Sequence, residues 1–301
     1  MRASKLTVLL LALAALTCGC QKGLDISGKG GQTPKKPDPV EVTEPASCSN
    51  KIVAHRGGSS ECGAPDNSLA SLRYAMGLGL YGSECDIYWT KDGKVVVGHA
   101  TSDYKINNLV VWEHTLDEIR KAGKLKNGEE IPCLEDFLKA VMVEGNCTKL
   151  VLDIKNTSPT AYAIKAVQQA CVIIQNMNAK KFCEFICTGN TTVAAEAAKC
   201  MRDYGIPVGW MANKAPADHK AAGFTWANLS AKSYMTPYGN KLTIKQFVDA
   251  GMEISVFNVD KAGSTDGNAV TSDSDVQYYL DNYKDLRAIC TNYPKWLKSQ
   301  L

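Results

Sequence analysis

Net charge is nearly absent from this chain: 34 Lys and Arg stand against 31 Asp and Glu, a formal balance of +3. The surplus is dispersed, and no basic stripe carries interleaved aromatics, so no nucleic-acid partner is expected. Long apolar runs are missing too. The best candidate, Leu6 to Leu16, is too short to span a bilayer. No change of composition after residue 48 marks a second domain. The cysteines, 12 in all, lack a convincing zinc spacing. Histidine is scarce, with 4 residues, so the setting of each one is informative.

The first part of the chain reads as processing signal and tether. Arg2 and Lys5 supply a positive region ahead of the apolar run. Leu16-Thr17-Cys18-Gly19-Cys20 is similar to a bacterial lipoprotein box, in which a cysteine is lipidated and becomes the new N-terminus. Cys20, after Gly19, is the expected lipidated residue, and Cys18 is its rival. Residues 1–20 are therefore expected to be a lipoprotein signal peptide. The protein would be exported to the bacterial cell envelope and held at a membrane by its N-terminal lipid anchor. Residues 21–47 are rich in Gly, Lys, Pro, Thr and Glu and predict a flexible linker. One domain is expected over 48–301. Export brings oxidising conditions, so disulfides among the later cysteines are compatible with the sequence, as is a role as small apolar core filler. No pairing can be read from the spacing. Cys183 and Cys187 share a strand face but are too far apart there to bond to each other.

After Cys48, strand and helix patterns alternate. Apolar strands are predicted at Lys51–His55, Gly82–Tyr88, Lys149–Lys155, Phe182–Cys187, Ile206–Met211, Thr225–Leu229, Ile254–Asn258 and Arg287–Cys290. Val95–His99 extends the second of them beyond the turn signal Lys91-Asp92-Gly93-Lys94. Helical spacing separates most strands, as at Asp66–Leu78, Thr115–Ala122, Ala161–Asn178, Val193–Tyr204, Ile244–Ala250 and Ser274–Tyr283. Eight strand units with helices between them predict a parallel (β/α)8 TIM barrel, a size class of ~250 residues.

In that fold, chemistry sits at the C-terminal ends of strands. His55 ends the first strand, Glu84 and Asp86 lie on the second, His99 ends its extension, and Asp153 and Lys155 end the third. Side chains alternate along a strand, so Glu84 and Asp86 share a face and Cys85 takes the other. Two adjacent carboxylates need a cation between them or a proton on one. Two histidines beside such a pair point to acid/base chemistry on a phosphate. A glycosidase pair is excluded, because residues on one strand face cannot flank a sugar bond from opposite sides. Asp66 has two readings, as cap of the helix that follows or as part of the site. His114 and His219 match no motif and are expected at the surface. Trp89, Trp112, Trp210 and Trp226 are assigned to core or pocket wall.

These segments resemble the glycerophosphodiester phosphodiesterases. The match runs through His55-Arg56-Gly57, Pro65-Asp66-Asn67-Ser68, the Glu84/Asp86 pair, Thr90 to His99, and Ile131-Pro132-Cys133-Leu134-Glu135. It continues at Lys149–Lys155, Val256-Phe257-Asn258 and Thr291-Asn292-Tyr293-Pro294, and covers about residues 50 to 296. The resemblance implies hydrolysis of a glycerophosphodiester to glycerol 3-phosphate and an alcohol. Glu84, Asp86 and Asp153 would hold a divalent cation, Ca2+ or Mg2+ rather than zinc. Arg56 and Lys155 would bind phosphate, and His55 and His99 would be general base and general acid. Asp66 and Asn258 are candidate accessory residues. The chain departs from the family pattern at Ala100 and Asn292, where aspartate is usual. It also departs at Asp153, usually glutamate, at Phe257, usually tryptophan, and in lacking an Asp-Arg-Thr-Thr segment. Two extra residues lengthen the loop between His55 and Pro65. Two other functions remain open: a phosphatidylinositol-type phospholipase or lyase, and a surface lipoprotein that binds phosphodiesters without cleaving them.

Overall fold

The computed structural model describes residues 42–235 and 242–301. The expected signal peptide, the lipidated Cys20 and all but the last residues of the expected linker lie outside that range. Residues 42–47 rest against the folded domain: Ala46 N donates to Asn146 O at 2.8 Å, Glu44 pairs with Lys181, and Val42 packs on the core.

Eight parallel strands close into a barrel. The chain runs β1 (Ile52–Ala54), α1 (Ser59–Cys62), α2 (Leu69–Gly77), β2 (Gly82–Trp89), β3 (Val95–Val97), β4 (Lys105–Ile106), β5 (Leu109–Val110), α3 (Leu116–Ala122) and α4 (Leu134–Val141). It continues through β6 (Lys149–Ile154), α5 (Ala161–Asn176), β7 (Cys183–Cys187), α6 (Thr191–Tyr204), β8 (Val208–Trp210), α7 (Pro216–Ala221) and β9 (Trp226–Ser230). It ends with α8 (Ile244–Asp249), β10 (Glu253–Phe257), α9 (Asp273–Asp281), β11 (Ala288–Thr291) and α10 (Pro294–Ser299). The staves follow the order β1-β2-β6-β7-β8-β9-β10-β11, and β11 pairs back on β1. The TIM barrel expected from the sequence is the fold.

Alternation builds two cores. Outward side chains such as Ile52, Cys85, Leu152 and Phe185 join the helices in one large cluster. Inward ones, Val53, Val151, Ile186, Trp226 and Ala288, form a small cluster inside the barrel. The cysteines from Cys48 onward are free thiols, six of them buried.

Several expectations shift locally. The segment Val95–Val97 pairs antiparallel with the end of β2, so it is the return arm of a hairpin and not a stave. Helix α2 starts at Leu69 rather than at Asp66, because Asn67 has φ 57° and Ser68 caps Ser71 N at 3.0 Å. Strand β8 begins only after Pro207, which lacks a ladder donor. Between β3 and α4, a β4–β5 hairpin and α3 close over their own small core of Val96, Ile106, Val111 and Ile119. Of the two histidines outside the motifs, His219 departs from its expected place at the surface. His219 is fully buried, with Nε2 at 3.1 Å from Ala212 O and its ring edge-on to Trp210 and Phe247. His114 is half-buried on Val110 O. A lone histidine on the apolar face of a short helix simply packs inward.

Candidate active site

Strand register assembles the carboxylates. In the parallel pairing of β2 with β6, Asp86 lies directly opposite Asp153, and Glu84 stands two residues earlier on the same inward face. Ligand-type oxygens of Glu84, Asp86 and Asp153 all lie within 4.8 Å of one another, and all three residues are buried.

The turn after β1 brings the cations. Arg56, Gly57 and Gly58 all have positive φ, so the chain reverses sharply as it leaves the strand. Gly57 is required here: a Cβ would stand 2.4 Å from Ser71 Oγ and 2.7 Å from its carbonyl carbon. The turn aims Arg56 N at Glu84 Oε2, 2.9 Å away, and Arg56 Nε at Asp86 Oδ2, 3.2 Å away. Arg56 Nη1 pairs with Asp66 at 3.0 Å. Asp66 therefore does not cap α2; it is half-exposed and holds the guanidinium. Lys155 Nζ bridges Asp86 Oδ1 at 2.7 Å and Asp153 Oδ2 at 2.6 Å. Asn67, not singled out from the sequence as a site residue, donates from Nδ2 to Asp86 Oδ2 at 2.8 Å and accepts from Asp86 N at 3.0 Å.

The three acids divide electrostatically. Burial alone would raise Asp86, but Lys155 and Arg56 outweigh it and hold the carboxyl at about 2. Glu84 is pushed well up by burial and by repulsion from Asp86 and Asp153. Asp153 is raised by burial and by Asp86, against the pull of Lys155. Its Oδ1 is buried without a hydrogen-bond partner. A crowded, all-oxygen donor set with an unused buried lone pair fits a hard divalent cation.

His55 follows β1 directly. Its Nδ1 lies 2.6 Å from Asn292 Oδ1, and its Nε2 lies 3.9 Å from Glu84 Oε2. His99 stands two residues past β3, in a turn tied to β2 by Gly98 N donating to Asp86 O at 3.0 Å. His99 is an exposed residue. Partial loss of water around it still lowers its pKa, and Arg56, Lys155 and His55 lower it further against the pull of Asp86. The structure thus brings His55, Arg56, Glu84, Asp86, His99, Asp153 and Lys155 together at one end of the barrel. A cavity of about 450 Å3 opens there and descends into the barrel past Asn228 and Trp226. Asn258 lies in its wall with φ 65°. Asp260 and Asn292, behind His55, are the partners whose connection sequence reasoning missed.

The chain belongs to the glycerophosphoryl diester phosphodiesterase family, whose match spans residues 55–295. A glycerophosphodiester phosphodiesterase of Caldanaerobacter subterraneus is 38% identical over 98 residues, 30% of this chain and 40% of that protein. Human glycerophosphodiester phosphodiesterase 1 is 35% identical over 94 residues, 28% of each chain. The matched part of this chain thus spans two fifths or less of the length of these curated relatives. Among solved structures, a glycerophosphodiester phosphodiesterase of Parabacteroides distasonis has the same fold. It superposes with a TM-score of 0.65 at 23% identity, covering 85% of this chain and 98% of that one. An Oleispira antarctica phosphodiesterase, solved in complex with the product sn-glycerol-3-phosphate, gives a TM-score of 0.61 at 20% identity, covering 83% and 95%.

Proposed function

We propose that this protein hydrolyses glycerophosphodiesters to glycerol 3-phosphate and an alcohol. The observation that carries the reading is the clustering of Glu84, Asp86 and Asp153 beside two cations and two histidines in a member of this family. The bound product of the Oleispira relative supports the substrate class. Glu84, Asp86 and Asp153 are the residues that hold a divalent cation, Ca2+ or Mg2+. When bound, it supplies Lewis-acid stabilisation of charge on the phosphate oxygens.

Arg56 and Lys155 add positive charge at the same phosphate, Arg56 through a planar fork. His55 removes a proton from the attacking hydroxyl, which belongs either to water or to the substrate itself. His99 protonates the leaving oxygen. A lowered pKa leaves free His99 short of a proton at neutral pH. An anionic phosphate beside it raises that pKa, so protonation of His99 accompanies substrate binding. Lipidation at Cys20 and a place in the bacterial cell envelope belong to the same proposal.

The test is a screen of glycerophosphodiesters after exhaustive chelation, with and without added Ca2+ or Mg2+. Release of glycerol 3-phosphate only with the cation is the expected result. Undiminished turnover in EDTA would instead favour the metal-free scheme of a phosphatidylinositol-type lyase. Binding without turnover under every condition would identify a phosphodiester-binding lipoprotein.

A further inference from the structure

The family pattern has aspartate where this chain has Asn292, yet the position still faces His55. Asn292 can be oriented from its partners. Its Nδ2 lies 2.7 Å from Asp260 Oδ2 and 3.4 Å from Asp266 Oδ2. An ionised carboxylate only accepts hydrogen bonds, so the amide nitrogen must be the atom on that side. Asp260 is itself fixed. It is fully buried; Oδ1 accepts from Thr291 Oγ1 and Asn292 N at 2.9 Å each, and Oδ2 accepts from Ser264 Oγ at 2.8 Å. Its backbone N donates to Val270 O at 3.0 Å, beside the Val259–Val270 bridge.

The orientation has a consequence for His55. The amide oxygen of Asn292, 2.6 Å from His55 Nδ1, can only accept. His55 must therefore carry its proton on Nδ1. In a neutral imidazole the other nitrogen is then the base, and Nε2 is the atom that faces the carboxylate cluster.

We propose that Asp260 is a positioning residue. Through Asn292 it holds neutral His55 in the Nδ1–H tautomer and leaves the Nε2 lone pair directed into the site. This rests on the role given to His55 above. The wrong tautomer of a catalytic histidine presents a proton where a lone pair is needed, and turnover falls with the geometry intact. Asp260 thus does from one residue further back what an aspartate at position 292 would do directly.

The experiment is long-range 1H–15N correlation on the full chain labelled with 15N-histidine, alongside steady-state kinetics. Wild type is expected to show His55 with Nδ1 protonated. In Asp260→Asn, the new side chain keeps an oxygen for Thr291 Oγ1 and Asn292 N and presents an amide nitrogen to Asn292. Asn292 then turns its oxygen toward residue 260 and its nitrogen toward His55, and the ring changes to the Nε2–H form. We expect kcat to fall tenfold or more with KM within about twofold. The double variant Asp260→Asn/Asn292→Asp exchanges the two groups and is expected to restore both the tautomer and kcat. If Asp260→Asn does not fold, Asn292→Ala removes the coupling without touching the buried carboxylate. It should shift His55 toward the Nε2–H form that free histidine prefers. An Nε2–H ring in wild type overturns the proposal, as does an unchanged Nδ1–H ring in folded Asp260→Asn or in Asn292→Ala. A tautomer that changes in a chain without phosphodiesterase activity leaves Asp260 its positioning role and removes the proposed function instead.

Discussion

The two ends of the barrel bury the same chemical group in opposite company. At the N-terminal end of the strands, Glu184 is 1% exposed, and its Oε1 accepts from Tyr81 Oη at 2.5 Å, Lys149 Nζ at 3.1 Å and Arg287 Nη2 at 2.7 Å. Arg287 also pairs with Glu253 and lies 4.5 Å over the Trp226 ring. Two acids there meet two cations. At the C-terminal end, Glu84, Asp86 and Asp153 share Arg56 and Lys155, and Asp66 takes part of Arg56. Each end also leaves carboxylate oxygens buried without a hydrogen bond: Oε2 of Glu184 at one, and Oδ1 of Asp153 and of Asp86, the latter beside Lys155, at the other. An orphan oxygen alone therefore does not define a cation site. What separates the two ends is the excess of negative charge at close quarters, and it shows as the raised Glu84 and Asp153. One end is balanced and structural; the other is short of a positive charge.

The largest effect is expected at the balanced end. Glu184→Ala leaves Lys149 without its carboxylate and Arg287 with Glu253 alone, and should cost about 3 kcal/mol of stability. Denaturant unfolding checks this, and cation binding at the other end should be unchanged in the variant. Next come His55→Ala and His99→Ala, each expected to lower kcat about a hundredfold or more without a matching loss of stability. Near wild-type turnover in either would remove that histidine from the chemistry.

A smaller effect separates the ends by mass action. Ca2+ or Mg2+ at ten times its Kd should add about 1.4 kcal/mol to unfolding stability. Glu84→Gln should abolish that gain while raising the melting temperature of the metal-free protein at neutral pH, because it removes a buried charge from an overcrowded acid cluster. Thermal melts with and without cation read both changes. If Glu84→Gln lowers metal-free stability, the cluster is not short of positive charge.

The smallest effect is the pH dependence. The folded pKa values of Glu84 and Asp153 are raised. Each therefore contributes stability that is fully present below the ordinary carboxylate value and is lost as pH rises through the folded one. Metal-free protein should gain from these two groups as pH falls through that window. Cation affinity should fall over the same window, since protons compete for the ligands. Melting temperatures of the metal-free protein and the Kd for the cation should rise together as pH falls across the window.

What the sequence made legible follows from local period. Eight apolar strand units predicted the barrel, and the spacing of Glu84 and Asp86 placed both on one inward face. The position of Asp153 at a strand end put it within reach of them. Contacts made across the fold were not legible. Asn67 reaches Asp86 only because α2 starts two residues beyond it, and Asp260 meets Asn292 across 32 residues. The His55–Asn292 contact spans 237 residues. Nothing local distinguished buried His219 from a surface histidine. Glu184 did leave a signal: one acid inside the apolar strand Cys183-Glu184-Phe185-Ile186-Cys187 has to find cations when the strand is buried.

Calorimetric titration of Ca2+ or Mg2+ into the purified wild-type domain, with Asp153→Asn as comparison, tests the central claim most directly. One site in wild type, lost or weakened at least tenfold in Asp153→Asn, is the predicted result. No binding of either cation to wild type at millimolar concentration, or equal binding to both proteins, would contradict it.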